Sequence, residues 1–267
     1  MRDSRTIIGT TSYGFRYLLL ERAVPLPELI KRTARAGLAA LQICENARAI
    51  DAPSGAWLDA VTAARDENVE LHVGTATLDI DTLCRNLDLA AAIPNPVVRI
   101  VLEESGKGLP SRETIEQFLE TAVKRVEAAG MQLAIENYFR IPCRVLVEMT
   151  ARFPERLVGF CIDSANSLRN WESAAQVFDL LEPRALQFHM KDYTVTGTNV
   201  GFTVTGTPLG EGDLDLAFCA RRILARHTAP RVFLENWVPS SGDAEADIAA
   251  DNEWLVRSLE RGRSVLA

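Results

Sequence analysis

Hydrophobic residues in this chain follow two alternating rhythms. Short runs rich in Val, Ile, Leu and Phe occupy residues 6–10, 39–44, 69–75, 97–102, 131–136, 157–163, 185–189 and 231–235, and they predict strands. Between them, helical spacing of apolar positions covers 26–36, 55–68, 79–92, 111–129, 143–153, 171–181, 214–227 and 244–261. Ser111 followed by Thr114 and Ile115 marks a helix entry, and Gly37 and Gly130 stand where helices stop. Strict alternation of eight strands with eight helices implies parallel βαβ units. No Pro/Gly-rich linker or compositional break interrupts the pattern, so 1–267 reads as one domain.

An open doubly wound sheet has the same local grammar as a barrel, and strand parity separates the two. The aliphatic pairs Leu41/Ile43, Leu71/Val73, Val98/Ile100, Leu133/Ile135, Phe160/Ile162, Leu186/Phe188 and Val232/Leu234 should face the helices. The alternate positions are then Gln42, His72, Arg99, Gln132 with Glu136, Cys161 with Asp163, Gln187 with His189, and Glu235. A sheet covered by helices on both faces reads as continuous aliphatic runs. A lumen rising to a polar mouth accommodates the alternation, which predicts an α/β fold of the (β/α)8 TIM barrel type.

Four inward positions end their strands in residues able to bind a cation: Glu136, Asp163, His189 and Glu235. The first spacings, 27 and 26 residues, are each one strand-plus-helix unit, whereas His189 to Glu235 is 46, or 20 more than 26. The excess lies at about 193–213, in the connection between the seventh strand and seventh helix. Val-Thr-Gly-Thr occurs there at 195–198 and again at 204–207, which predicts a β-hairpin able to cover a ligand.

Three carboxylates and one imidazole suit Mn²⁺, Mg²⁺ or Co²⁺, with Zn²⁺ also admissible, although structural zinc more often recruits cysteines or several histidines. Positions left open on such an ion would hold adjacent oxygens of a hydroxy-ketone or hydroxy-aldehyde and favour an ene-diolate. Glu136 and Glu235, from different strands, are the candidate acid/base pair for moving a proton α to the carbonyl. A lone carboxylate at a strand end is more often a cap or salt-bridge partner. Four sharing one parity and one end weaken that reading. His72 has two readings, a satisfied polar core residue, the commoner fate, or a substrate contact. Arg99 is expected in a buried ion pair.

Composition narrows the partners. An apolar content of 47% provides for a large core, and a net charge of −7 disfavours a nucleic-acid partner. No stretch reads as a membrane span or a secretory signal. Five cysteines without a Cys-x-x-Cys pair fit a reducing, cytoplasmic setting.

The ordered segments Ile135-Glu136-Asn137, Cys161-Ile162-Asp163-Ser164-Ala165-Asn166, His189-Met190-Lys191-Asp192, Pro208-Leu209-Gly210-Glu211-Gly212-Asp213 and Leu234-Glu235-Asn236 resemble the xylose isomerase-like barrels of the sugar phosphate isomerase/epimerase family. Ile8-Gly9-Thr10 with Tyr13 and Phe15 resembles that family's opening strand and aromatic wall. The resemblance covers essentially the whole chain. It implies a metal on Glu136, Asp163, His189 and Glu235, the two glutamates as acid and base, a small carbohydrate or keto-acid substrate, and a homodimer or homotetramer. Candidate substrate contacts are Asn166, Lys191, His72, Tyr13 and Trp237, with Phe15 and Trp57 as further aromatic wall. Ketose 3-epimerases carry histidine where Asn166 stands and an arginine soon after the strand-seven histidine, whereas this chain has only Lys191 and Asp192 before Gly212. Both departures point away from a ketohexose 3-epimerase and towards broader metal-enolisation chemistry. Phosphate recognition has no Gly-x-x-x-x-Gly-Lys loop behind it, and Glu211 would repel an anion.

The expected function is therefore an isomerase or epimerase. A lyase on the same site, dehydrating or eliminating a β-substituent, is the alternative. A phosphodiesterase of the AP-endonuclease kind would need several zinc ions and many histidines, and this acidic chain has three. A catalytically silent binding subunit leaves the quartet unexplained.

Overall fold

The computed structural model describes residues 6–53, 55–103 and 108–266, and the ends of the expected 1–267 domain lie outside them. Eight parallel strands close a barrel: β1 (Ile7–Thr11), β2 (Ala40–Ile43), β3 (Glu70–Ala76), β4 (Val97–Val101), β5 (Gln132–Glu136), β6 (Val158–Asp163), β7 (Ala185–Met190) and β10 (Arg231–Leu234), with β10 pairing back onto β1. The hairpin strands are β8 (Asp192–Thr198) and β9 (Gly201–Thr207). Helices α1 (Arg16–Glu21), α2 (Leu26–Arg35), α3 (Ala56–Asp66), α4 (Ile80–Ala91), α5 (Arg112–Ala128), α6 (Cys143–Thr150), α7 (Ala174–Leu181), α8 (Leu216–Arg226) and α9 (Ala244–Val265) fill the intervals.

Local chemistry sets the helix ends. Ser111 Oγ accepts from the Thr114 N–H at 3.1 Å and opens α5, while Ser173 and Gln176 form a reciprocal capping box on α7. Gly37 and Gly130 follow α2 and α5 with φ of 79° and 67°, a region that L side chains resist.

Parity holds around the barrel. Leu41, Ile43, Val73, Ile100, Leu133, Ile135, Ile162, Phe188, Val232 and Leu234 are buried in one cluster with Leu29, Leu83, Leu119 and Ile223 from the helices. Each such side chain contributes about 1.5–3 kcal/mol by leaving water. The lumen is polar instead, and Gln42, His72, Arg99 and Gln187 are buried in it. Buried polar groups persist only when paired, and these are.

The residues from 193 to 213 begin with the expected hairpin. It pairs Asp192 with Thr207 through to Thr198 with Gly201, and Val195, Val200 and Phe202 stand exposed. Asp192, at its base, is fully buried and spends its carboxylate on four backbone N–H groups: Tyr193 and Leu214 on Oδ1, Gly210 and Gly212 on Oδ2. The Gly210-Glu211-Gly212 turn is thus organised around the protein's own carboxylate, in keeping with the absence of a phosphate loop.

Candidate active site

The carboxyl ends of the barrel strands carry the quartet. Register places Asp163 opposite His189 and Glu136 opposite Cys161, and the Glu235 N–H donates to the Met190 carbonyl just beyond β10. Side chains immediately after the strands extend this pairing. Asn137 takes the Asp163 N–H at 2.7 Å and returns its amide N–H to the Asp163 carbonyl at 2.9 Å. Ser164 Oγ repeats the device, accepting from the Lys191 N–H and donating to the Lys191 carbonyl, both at 2.8 Å. Asn137 and Ser164, the polar residues directly following Glu136 and Asp163, were the sequence signal for these clamps.

All four candidate ligands are buried, and each is oriented by a neighbouring side chain or backbone N–H. Asn166 Nδ2 holds Glu136 Oε1 at 2.9 Å. The Ala165 and Asn166 N–H groups hold Asp163 Oδ1 at 2.9 and 2.8 Å, and His189 Nε2 meets Gln42 Oε1 at 2.9 Å. Glu235 is held at both oxygens, Oε2 by the Thr11 hydroxyl at 2.9 Å and Oε1 by Lys191 Nζ at 2.7 Å. His189 Nδ1 lies 3.3 Å from Glu136 Oε2 and 3.6 Å from Glu235 Oε2. His189 Nδ1 is buried without a hydrogen-bond partner, and Asp163 Oδ2 is met only by the Lys191 ammonium. Cys161, on the inward face of β6, belongs to the same centre, since its sulfur and ligand atoms of Glu136 and His189 all lie within 4.8 Å of one another.

Two cations share the centre. Lys191 Nζ sits 3.0 Å from Asp163 Oδ2, 3.2 Å from Asn166 Oδ1 and 5.2 Å from the Trp237 ring centroid. Arg99 donates through Nε to Glu136 and through Nη1 to Glu45 Oε2 at 3.2 Å. Glu45 also accepts the Tyr13 hydroxyl at 2.8 Å. Four carboxylates (Glu45, Glu136, Asp163, Glu235) against two cations leave two negative charges, 4 − 2. Burial would raise Glu136, but Arg99 first and Lys191 after it hold it well below the usual carboxylate range. Burial likewise raises Asp163, against Lys191. Burial would lower Lys191, yet Asp163 and Glu235 keep its ammonium well above the ordinary lysine value.

A cavity of about 970 Å³ opens over this centre, walled by residues that include Tyr13, Arg16, Glu45, Arg99, Tyr138, Lys191, Glu235 and Trp237. Of the expected substrate contacts, Tyr13, Lys191 and Trp237 reach it. Asn166 lies beneath, bonded to Glu136 and Lys191. His72 belongs elsewhere: it sits lower in the lumen, with Nε2 2.8 Å from Glu70 Oε1 and its ring edge-on to Phe233. Its place early in β3 sets that depth. Phe15 and Trp57 are core residues, the latter with its indole N–H on the Leu89 carbonyl, and they do not wall the cavity. The hairpin contributes no lining residue, and its Gly206 packs against the backbone of Trp237, which does line the cavity. Glu45, Tyr138 and Phe139 were missed because they sit on a short 3-10 turn and a loop, where periodicity is silent.

The xylose isomerase-like TIM barrel family model matches residues 30–258. The chain is similar to a 3-oxo-isoapionate decarboxylase of Pectobacterium atrosepticum, 28% identical over 259 residues, 94% of this chain and 93% of the relative. Among solved structures, a xylose isomerase-like barrel protein of Mycobacterium smegmatis in complex with magnesium superposes with a TM-score of 0.72 at 16% identity, covering 100% of both chains. A D-psicose 3-epimerase with D-tagatose from Clostridium cellulolyticum H10 does so with a TM-score of 0.74 at 13% identity, covering 98% of this chain and 99% of that one.

Proposed function

The chain belongs to the xylose isomerase-like TIM barrel family, and from that premise we propose that it is a sugar-acid lyase decarboxylating a polyhydroxy 3-oxo acid. One observation carries the choice over the expected isomerase or epimerase. Transfer between two faces of a sugar carbon needs a second free base opposite Glu235; of the expected pair Glu136 and Glu235 only Glu235 lines the cavity, and the other glutamates there are engaged, Glu45 by Arg99 and Tyr13 and Glu103 by Arg140. Glu136 is locked by Arg99 and Asn166, and its depressed pKa makes it a weak base. Loss of carbon dioxide requires no base. It requires a cation beside the carbonyl oxygen and a proton for the carbon left behind. The similarity to a decarboxylase along nearly the whole of both chains supports the same choice.

The residues fit the roles. Arg16, Arg48, Arg99 and Lys191 in the cavity wall favour an anionic substrate. Breaking the C1–C2 bond releases carbon dioxide, and its electron pair forms C2=C3 while the carbonyl pair moves onto the C3 oxygen. The Lys191 ammonium is placed to oppose that charge. C2 then takes a proton from a wall phenol, refilled from solvent through the open cavity. Burial raises Tyr13 and pushes Tyr138 up to about 12, so both keep their protons at neutral pH.

Glu136, Asp163, His189 and Glu235 would also hold a divalent cation. The unpartnered His189 Nδ1 and the residual double negative charge support that fit. Bound there, the cation would supply Lewis-acid polarisation of the substrate carbonyl. The test offers polyhydroxy 3-oxo acids, 3-oxo-isoapionate first, with and without Mg²⁺ or Mn²⁺, and follows carbon dioxide and deuterium uptake at C2. Release with one solvent deuteron, lost in Lys191→Met, is expected. Epimerised ketose with no carbon dioxide would return the protein to the epimerases.

A further inference from the structure

The lumen below the active site contains an unbroken hydrogen-bonded line of side chains along the barrel. His72 Nε2 lies 2.8 Å from Glu70 Oε1, and Gln187 Nε2 lies 3.1 Å from His72 Nδ1. Gln42 Nε2 donates to Gln187 Oε1 at 2.9 Å, and His189 Nε2 lies 2.9 Å from Gln42 Oε1. Except for Glu70 every member is buried, so water does not complete any link. We propose that Glu70, His72, Gln187 and Gln42 are positioning residues that fix the tautomer of His189, leaving its Nδ1 as a bare lone pair at the active-site end.

Direction follows from the fixed polarity of each group. An ionised carboxylate only accepts, so Glu70 obliges His72 to donate through Nε2. Neutral His72 then accepts at Nδ1, where both Gln187 and Asn95 present N–H groups. The Asn95 orientation is set separately by the Val97 N–H on its Oδ1, at 3.4 Å. Each carboxamide passes the polarity on, because one end accepts and the other donates. His189 is reached as an Nε2–H donor with Nδ1 unprotonated.

Either direction leaves one end without a proton, and the contact distances decide which. Carboxylates stand at both ends, Glu70 below and Glu136 with Glu235 above, and two neutral histidines joined by amides can donate at only one end. The close contact is at Glu70, 2.8 Å, whereas Nδ1 of His189 is 3.3 Å from Glu136 and makes no hydrogen bond. A bare lone pair beside two carboxylates attracts a cation, so the line presets the upper end to receive one. That consequence rests on the cation-binding reading above, and the tautomer assignment stands without it. Imidazoles that bind cations through one nitrogen are commonly oriented by a partner on the other. Here the orienting partner reaches through the barrel to its far end.

Histidine-specific ¹⁵N NMR of the whole protein tests the assignment, since the chain has only three histidines and His227→Gln identifies the third. Expected are Nε2–H tautomers for both His72 and His189. Observing Nδ1–H on His189, or unlike tautomers on the two rings, overturns the proposal. Glu70→Gln, whose amide can donate or accept, should let Nδ1–H forms appear on both rings together. A His189 signal unmoved by that change would also refute the relay. Calorimetric titration with Mn²⁺ separates the two readings. Gln42→Leu should weaken binding about 10–100-fold, and equal affinity overturns the positioning role. Absence of Mn²⁺ binding by the unaltered protein would remove the cation reading and leave the NMR result to decide the tautomer.

Discussion

Replacing Lys191 by methionine removes one charge while keeping most of the side-chain volume. The ammonium is 2% exposed and lies 3.0 Å from Asp163 Oδ2 and 2.7 Å from Glu235 Oε1. Without it, two carboxylates face each other with no compensating cation. Removing one partner of a buried ion pair costs about 3–5 kcal/mol. Lys191 borders a cavity that water can enter, so the low end, about 3 kcal/mol, applies. At roughly 2–4 °C per kcal/mol for a domain near this size, the melting temperature should fall by about 6–12 °C in chelator. The same vacancy removes a competitor for the carboxylates, so Mg²⁺ should stabilise Lys191→Met more than the unaltered protein. At a hundredfold excess over Kd the linkage amounts to about 2.7 kcal/mol, nearly the whole deficit. Paired calorimetric melts with EDTA and with Mg²⁺ measure both quantities. Equal melting temperatures in EDTA, or equal gains with Mg²⁺, would refute this account of the centre.

Three further outcomes follow from contacts outside the quartet. Asp192→Ala leaves four backbone N–H groups without their carboxylate and should cost about 3 kcal/mol, with faster proteolysis within 193–213; urea melts and limited digestion check it. Glu70 is drawn down to about 2, since the contacts with His72 and Arg231 outweigh burial, so its contribution is full above the model-peptide value of 4.5 and is lost as pH falls towards 2. With allowance for its partial exposure, Glu70→Gln should cost about 2 kcal/mol at pH 6, and the gap should narrow steadily as pH falls from 4.5 towards 2 in urea titrations; a pH-independent gap contradicts it. Gly206→Ala pushes a methyl into the Trp237 backbone, which should raise KM several-fold through the displaced indole while the barrel melts within a few degrees of the original.

Strand ends, inward parity and the helices from α2 onward were legible in the chain because each depends on residues close in sequence, whereas the six-residue α1 was too short to show a period. A period of two either places Glu136 and Ile135 on opposite faces or it does not, and the predicted strands differ from the observed ones by a residue or so at each end. The hairpin was legible for the same reason, through its repeated Val-Thr-Gly-Thr. What each inward side chain would meet was not. Periodicity assigns His72 and His189 to one lumen but says nothing of depth, and depth joins one to Glu70 and brings the other to the quartet.

The sequence by itself determined the barrel and the four residues that crown it, since both follow from local alternation and from spacing along one chain. Tertiary structure alone decided how charge is shared there. Arg99 and Lys191 lie 37 and 28 residues from the carboxylates they hold, Glu136 and Asp163, and only barrel closure brings them into contact. Closure likewise locked Glu136 beneath the cavity and left Glu235 at its wall. Two glutamates that look equivalent as strand ends thereby acquire different chemistry, because electrostatic interaction depends on distance and burial rather than on position in the chain.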